Sequence, residues 1–326
     1  MLPGAILRYH RVASLTSDPH DVTVTPSVFQ EHLEVIRAGF APLSLASLVT
    51  RGRSGDLPSG AVALTFDDGY DDVARAAAPL LARYDVPATV FVVTGYVDQP
   101  REFWWDRVAL ACLGPGRMPE RIALRVGHRD LTCALGQSAV YSDQDVERHR
   151  AWTWRSPDDP TPRHRLFREL LERLKPLDEP ERLVVIGELE SLSGIGTAVR
   201  ASHRALDSEA LVALHRGGLV EVAAHSVSHP LVPRLPTAQQ RHEVGGSKRF
   251  LEQLLGSPVR HFAYPFGSAG RTWRVVREVG FDAAFTTKEG AAAPGDDRYR
   301  LPRVFVGNWS GAELERRLAS LVRSAR

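Results

Sequence analysis

The sequence lacks most of the features that assign a chain quickly. Only two of its 326 residues are cysteine, Cys112 and Cys133. Their spacing fits no common zinc pattern and there is no second pair, so both are expected to be reduced and structural. No run approaches the roughly 18 apolar residues of a membrane-crossing helix, so no transmembrane segment is expected. Neither charge sign dominates: 41 Lys and Arg face 39 Asp and Glu, a net charge of +2. The arginines are scattered among acids, which argues against a nucleic-acid partner. There is no internal repeat and no low-complexity tract. The opening stretch, Met1 to Tyr9, is too short and too quickly polar for a secretory leader, which points to the cytoplasm. What remains is ordinary globular composition, 43% hydrophobic and 25% charged. That length allows one large α/β barrel or two ordinary domains.

Short apolar strands alternate with helical stretches. Strands are expected at Ala5–Tyr9, Ala61–Phe66, Ala88–Val93, Leu219–Ala224, His261–Tyr264, Phe281–Thr286 and Arg303–Gly307. Helices are expected at Ser27–Ala38, Val73–Tyr84 with a bend at Pro79, Ser208–Arg216, Thr237–Leu255, Thr272–Val279 and Ala312–Arg323. The rhythm breaks between about 98 and 202. That region is rich in Arg, Pro, Trp and Glu, with Pro157, Pro160 and Pro162 in one loop-like stretch. Leu166–Leu174 and Glu181–Leu192 look like amphipathic helices there. We read residues 98–202 as a mainly helical insertion into a single barrel spanning 1–326. Alternating strands and helices predict a parallel sheet with crossovers.

Three polar clusters follow predicted strands, where the C-terminal face of an α/β barrel gathers its chemistry. The first is Thr65-Phe66-Asp67-Asp68-Gly69-Tyr70. Side chains alternate along a strand, so one carboxylate can hold a metal while the other faces water or substrate. Asp-Gly is also a frequent turn pair. The second is His225-Ser226-Val227-Ser228-His229. Histidines four apart share one face of a helical turn and suit one metal ion, although two capping histidines would read the same. Two His and a carboxylate with water make a four-coordinate catalytic zinc site. The third, Phe262-Ala263-Tyr264-Pro265-Phe266-Gly267, could aim a backbone N–H at an oxyanion or simply turn the chain.

Taken together, the three clusters resemble those of the polysaccharide deacetylases, the NodB-homology group of carbohydrate esterase family 4. The opening Leu7-Arg8-Tyr9-His10-Arg11-Val12 resembles the N-terminal strand of the circularly permuted branch, which includes the poly-N-acetylglucosamine deacetylases. The resemblance spans roughly residues 5–97 and 203–310. It implies a distorted (β/α)7 barrel of the NodB-homology type with a helical insertion. It also implies hydrolysis of an N-acetyl group on an amino sugar: a polysaccharide, an oligosaccharide, a lipid-linked sugar or a small glycoside. By the same resemblance Asp67 is the general base, and Asp68, His225 and His229 are the metal ligands. His10 is the general acid and the Phe266 N–H serves the oxyanion. Carboxylate and imidazole ligands suit zinc first, with cobalt, nickel or iron compatible.

One departure stands out. Unpermuted members carry an Arg where this chain has Ala263, and that Arg orients the catalytic Asp. Arg303, in Leu301-Pro302-Arg303-Val304, is the candidate replacement, with Tyr264 as a second supporting residue. No C-terminal Leu-x-His is found, so the acid role rests on His10. Tyr70, Trp104 and Trp105 are offered as sugar-facing residues, against readings as a shield or as core anchors. Asp71 and Asp72 are read as caps of the helix that follows. Two other readings compete with the deacetylase. One is a non-catalytic carbohydrate-binding barrel that keeps the metal triad; the other is a metal hydrolase of a different C–N bond.

Overall fold

A computed structural model describes residues 4–196, 198–293 and 295–324. The chain divides into two compact units. One runs up to Ser14, through Val22–Gln99, and on from Ala205; the other comprises Leu15–Asp21 and Pro100–Arg204.

The first unit is built on seven parallel strands in sequence order: β1 (Ala5–Tyr9), β2 (Ala61–Phe66), β3 (Ala88–Val92), β4 (Val220–Ala224), β5 (His261–Ala263), β6 (Ala283–Phe285) and β7 (Val304–Phe305). Each pairs with the next from β1 to β6, and β7 pairs back onto β1 through Leu7 and Val304. Phe285 and Leu301 form a single parallel bridge, so the segment entering β7 links the last open edge. The result is a distorted (β/α)7 barrel, as the family resemblance implied; the strand–helix rhythm had predicted its parallel sheet with crossovers. A short strand, Ala41–Pro42, pairs onto the start of β2.

The strands are buried on both faces, as parallel strands sheathed by helices must be. Along β2, Val62, Leu64 and Phe66 pack outward against the helix layer with Phe29, Leu33 and Leu81. Ala63 turns inward and joins Ile6, Phe91, Ala223, Ala263 and Phe285 inside the ring. The same alternation carries Thr65 and Asp67 to the inner side. Helix positions follow local chemistry. Thr25 caps Pro26–Gly39 by accepting the Val28 N–H, and Asp207 caps Ser208–Arg216 by accepting from Ala210. Pro79 has no N–H to give. The turn before it widens accordingly, with the Ala78 N–H reaching back to Val73, before Ala78–Tyr84 continues as α-helix.

The second unit holds helices Trp104–Leu113, Asp143–His149, Pro162–Leu174 and Glu179–Ser193. It differs from the helical expectation in its antiparallel strands: Gly116–Arg117 pairs with Val140–Tyr141. Arg121–Val126 and Arg129–Ala134 form an antiparallel hairpin whose first strand alternates strictly between exposed and buried positions. Cys112 and Cys133 are both buried free thiols, and burial pushes the Cys112 thiol up to about 12. Among the described residues no helix is long and apolar enough to cross a membrane.

Candidate functional site

All seven strands run the same way, so their C-terminal ends share one rim. His10 follows β1, Asp67 and Asp68 follow β2, His225 follows β4, and Phe266 lies just past β5. The ring therefore collects onto one face residues that are far apart in sequence.

Asp68, His225 and His229 form a buried cluster whose donor atoms all lie within 4.8 Å of one another. The Nε2 atoms of His225 and His229 stand 3.6 and 3.5 Å from Asp68 Oδ1. His225 Nδ1 is 2.8 Å from the Ala263 carbonyl oxygen, which can only accept. That bond places the proton on Nδ1 and leaves the Nε2 lone pair turned to the cluster, as a metal ligand requires. Burial pushes the His225 imidazole down, which keeps it neutral. Two imidazoles and one carboxylate at this spacing fit a divalent cation of the zinc type.

The His225–His229 segment is not the helical turn expected from the spacing. It is a loop in which Ser226 (φ 68°) and His229 (φ 55°) take left-handed backbone. Seven non-glycine residues among those described have positive φ, and four of them belong to this site: Asp68, Ser226, His229 and Phe266. Such strain persists only where surrounding bonds over-determine the backbone. Here Glu243 supplies them: its buried carboxylate accepts the Val227 N–H (2.8 Å), the Ser228 N–H (2.9 Å) and the Ser228 hydroxyl (2.8 Å). The His229 N–H is held by Ser226 Oγ at 3.1 Å. Gly95 passes so close that a Cβ there would sit 2.6 Å from the Val227 oxygen.

Beside this cluster lies Asp67. Arg303 grips it with two parallel bonds, Nη1 to Oδ1 at 2.6 Å and Nη2 to Oδ2 at 2.8 Å. The same guanidinium donates to the Thr286 carbonyl (3.0 Å) and Thr65 Oγ1 (3.2 Å), and is wholly buried. Burial alone would push the Asp67 carboxyl up. The Arg303 charge overrides it, helped by His225 and His10, and holds the carboxyl well below the usual range. His10 Nε2 is 4.0 Å from Asp67 Oδ2. Burial pushes His10 down to about 3 despite the pull of Asp67, so its ring is neutral in the free protein.

The third cluster forms a tight turn. Phe266 (φ 56°) packs its ring on His229, centroids 4.6 Å apart. Gly267 (φ 71°) is required there, because a Cβ would overlap Thr287 Oγ1 and its backbone nitrogen. Tyr264 is fully buried and donates to the Tyr299 carbonyl at 2.9 Å, so it braces the turn from the core side. Tyr70 is also fully buried, beneath the Arg11 guanidinium at 4.0 Å from its ring centroid. Trp104 and Trp105 lie in the core of the second unit, where Arg182 covers Trp104 and Phe103 stacks on Trp105 at 4.7 Å.

Sequence reasoning missed Glu243, which sits mid-helix with no local signal. It also misread Asp72, which makes no helix cap; its carboxylate accepts Arg11 Nε (2.9 Å) and the Val12 N–H (3.0 Å).

Fold and site together define a (β/α)7 barrel with a three-residue cation cradle and an arginine-held carboxylate at its strand ends. A polysaccharide deacetylase family model matches residues 54–119 and 167–284, more than half of the chain, and the chain belongs to that family. Among curated relatives, the chain is 33% identical over 98 residues to the poly-beta-1,6-N-acetyl-D-glucosamine N-deacetylase of Escherichia coli strain K12. That match covers 29% of this chain and only 15% of the relative. Two solved structures share the fold. IcaB from Ammonifex degensii is similar with a TM-score of 0.60 and 17% identity, over 98% of this chain and 97% of that one. The Streptococcus pyogenes deacetylase PplD has a TM-score of 0.55 and 19% identity, over 98% of both chains.

Proposed function

We propose that the chain is a metal-dependent N-deacetylase that hydrolyses the acetamide of an acetylated amino sugar. The observation that carries this is the pairing of two carboxylates with different environments. Asp68 faces two imidazoles, while Asp67, one residue earlier, is held apart by Arg303. A structural metal staple needs only the first; the second is what a hydrolase adds. A divalent cation held by Asp68, His225 and His229, zinc by donor chemistry, would polarise the acetyl carbonyl and acidify the attacking water.

Asp67 accepts a proton from the attacking water while Arg303 keeps its oxygens fixed. A carboxyl held so low cannot keep that proton. His10, 4.0 Å away, is the next acceptor. His10 is itself a reluctant base, so once protonated it is a strong acid and yields the proton to the departing amine nitrogen. Attack forms the new C–O bond and a tetrahedral oxyanion; its collapse breaks the C–N bond as the nitrogen takes the His10 proton, and the products are acetate and a free amine. The left-handed Phe266 in its tight turn is the proposed source of a backbone N–H for the oxyanion. The name of the curated relative makes a β-1,6-linked N-acetylglucosamine polymer the first substrate to try.

The test is acetate release from N-acetylhexosamine polymers, oligomers, lipid-linked and nucleotide sugars. It uses metal-free protein, added zinc, and Asp67→Asn as control. Zinc-dependent release that disappears in Asp67→Asn supports the reading. No release from any substrate, with zinc bound, overturns it.

A further inference from the structure

His10 is poorly anchored for a residue that has to deliver a proton. Its Nδ1 is buried without a hydrogen-bond partner, and its Nε2 has Asp67 only at 4.0 Å. Its place must therefore be set by its neighbours in the chain. On one side the Tyr9 carbonyl accepts the Asp67 N–H at 3.0 Å, tying the end of β1 to the end of β2. On the other side stands Arg11, only 2% exposed. Its Nε donates to Asp72 Oδ2 at 2.9 Å, and the next backbone N–H, that of Val12, donates to Asp72 Oδ1 at 3.0 Å. The guanidinium lies 4.0 Å from the centre of the Tyr70 ring. Tyr70 and Asp72 belong to the same turn as Asp67 and Asp68.

We infer that the buried Arg11–Asp72 pair, seated on the Tyr70 ring, is a positioning device that fixes His10 over Asp67 for proton delivery to the leaving amine. One carboxylate grips both the side chain and the backbone that follow His10. With the Tyr9–Asp67 bond, His10 is clamped to the catalytic turn from both sides. Stability alone is a weak reason for such a pair, because a buried ion pair gives up hydration that an apolar pair of similar volume would not. A planar guanidinium on an aromatic face does supply fixed geometry. An error of about 1 Å in a reacting group can lower a rate roughly 100-fold, so that geometry matters at His10.

The inference rests on the deacetylase reading with His10 as acid, and the test separates the two. Two substrates are compared with zinc-loaded protein: an N-acetylglucosamine oligomer and 4-nitrophenyl acetate. The amine must be protonated to leave, whereas the nitrophenolate leaves without a proton. The main variant is Arg11→Met/Asp72→Asn, which removes both charges at similar volume and keeps an oxygen for the Val12 N–H. Asp72→Asn alone is the second variant. Both should lower kcat on the oligomer, the double variant by roughly 100-fold, with KM little changed. Ester hydrolysis should stay within about threefold of wild type, because only the proton-requiring step is touched. Zinc affinity by titration calorimetry and Tm should also hold. Parallel loss on both substrates, weakened zinc binding, or unchanged oligomer turnover overturns the inference and leaves the deacetylase reading standing. A wild-type protein inactive on the oligomer with zinc bound overturns both.

Discussion

Replacing Arg303 with Met is the most demanding test of how Asp67 is held. Arg303 is wholly buried and the Asp67 side chain is only 4% exposed. Two of the four bonds donated by the guanidinium go to Asp67, at 2.6 and 2.8 Å. Met fills much of the volume but leaves both carboxylate oxygens facing an apolar chain. Removing one partner of a buried pair costs about 3–5 kcal/mol, because the other charge stays dehydrated. Asp67 has one escape. Burial, the largest influence on its carboxyl, is then opposed by His225 and His10 without the guanidinium, and pushes it toward taking a proton. The neutral acid is no base, so turnover at neutral pH should fall roughly 100-fold or more. The acid limb of the kcat/KM profile should move to higher pH, since the carboxylate now forms only there. Asp67→Asn/Arg303→Met removes both charges and should recover a large part of the lost stability. Arg303→Lys, which supplies one charge but no fork, should fall between. Thermal and urea unfolding of wild type, both singles and the double give the coupling, and acetate release gives the rate. The reasoning is refuted if Arg303→Met unfolds within about 1 kcal/mol of wild type and keeps its pH profile.

Three further outcomes are expected. Glu243→Ala leaves the Val227 and Ser228 N–H groups without their acceptor. Zinc affinity measured by calorimetry should fall about 10- to 100-fold, with Glu243→Gln intermediate. Gly267→Ala forces a Cβ onto the Thr287 backbone at φ 71°, so turnover should drop sharply even in protein that still binds zinc. In the second unit, burial holds His164 down to about 4 from an ordinary 6.5. Its neutral form is favoured by the fold, so its contribution is complete above pH 6.5 and is lost as pH falls toward 4. Tm measured from pH 7 to 4 should decline less in His164→Gln than in wild type.

Much of this site was legible because each motif directly follows an apolar strand, and strand alternation decides which residues turn inward. Ala61–Phe66 announced Asp67 in this way, and Leu219–Ala224 announced His225. The hairpin at Arg121–Ala134 was also within reach, since alternation of exposed and buried positions along Arg121–Val126 is a strand signal. It was hidden by the helical composition around it. What could not be read is the set of side chains that reach between layers. Arg303, 236 residues from Asp67, was a candidate only through the family resemblance, and Arg11, 61 from Asp72, was not singled out at all. Glu243 grips a loop 15 residues behind it from the middle of a helix. No local pattern encodes these partners, because the ring creates their proximity. Leu7 pairs with both Leu64 of β2 and Val304 of β7, so the strand bearing His10 sits between the strand leading to Asp67 and the strand led in by Arg303. In a closed parallel ring a residue's place is set by which strands flank it. His10, which follows the first strand, therefore stands beside Asp67, whose holder Arg303 arrives with the last.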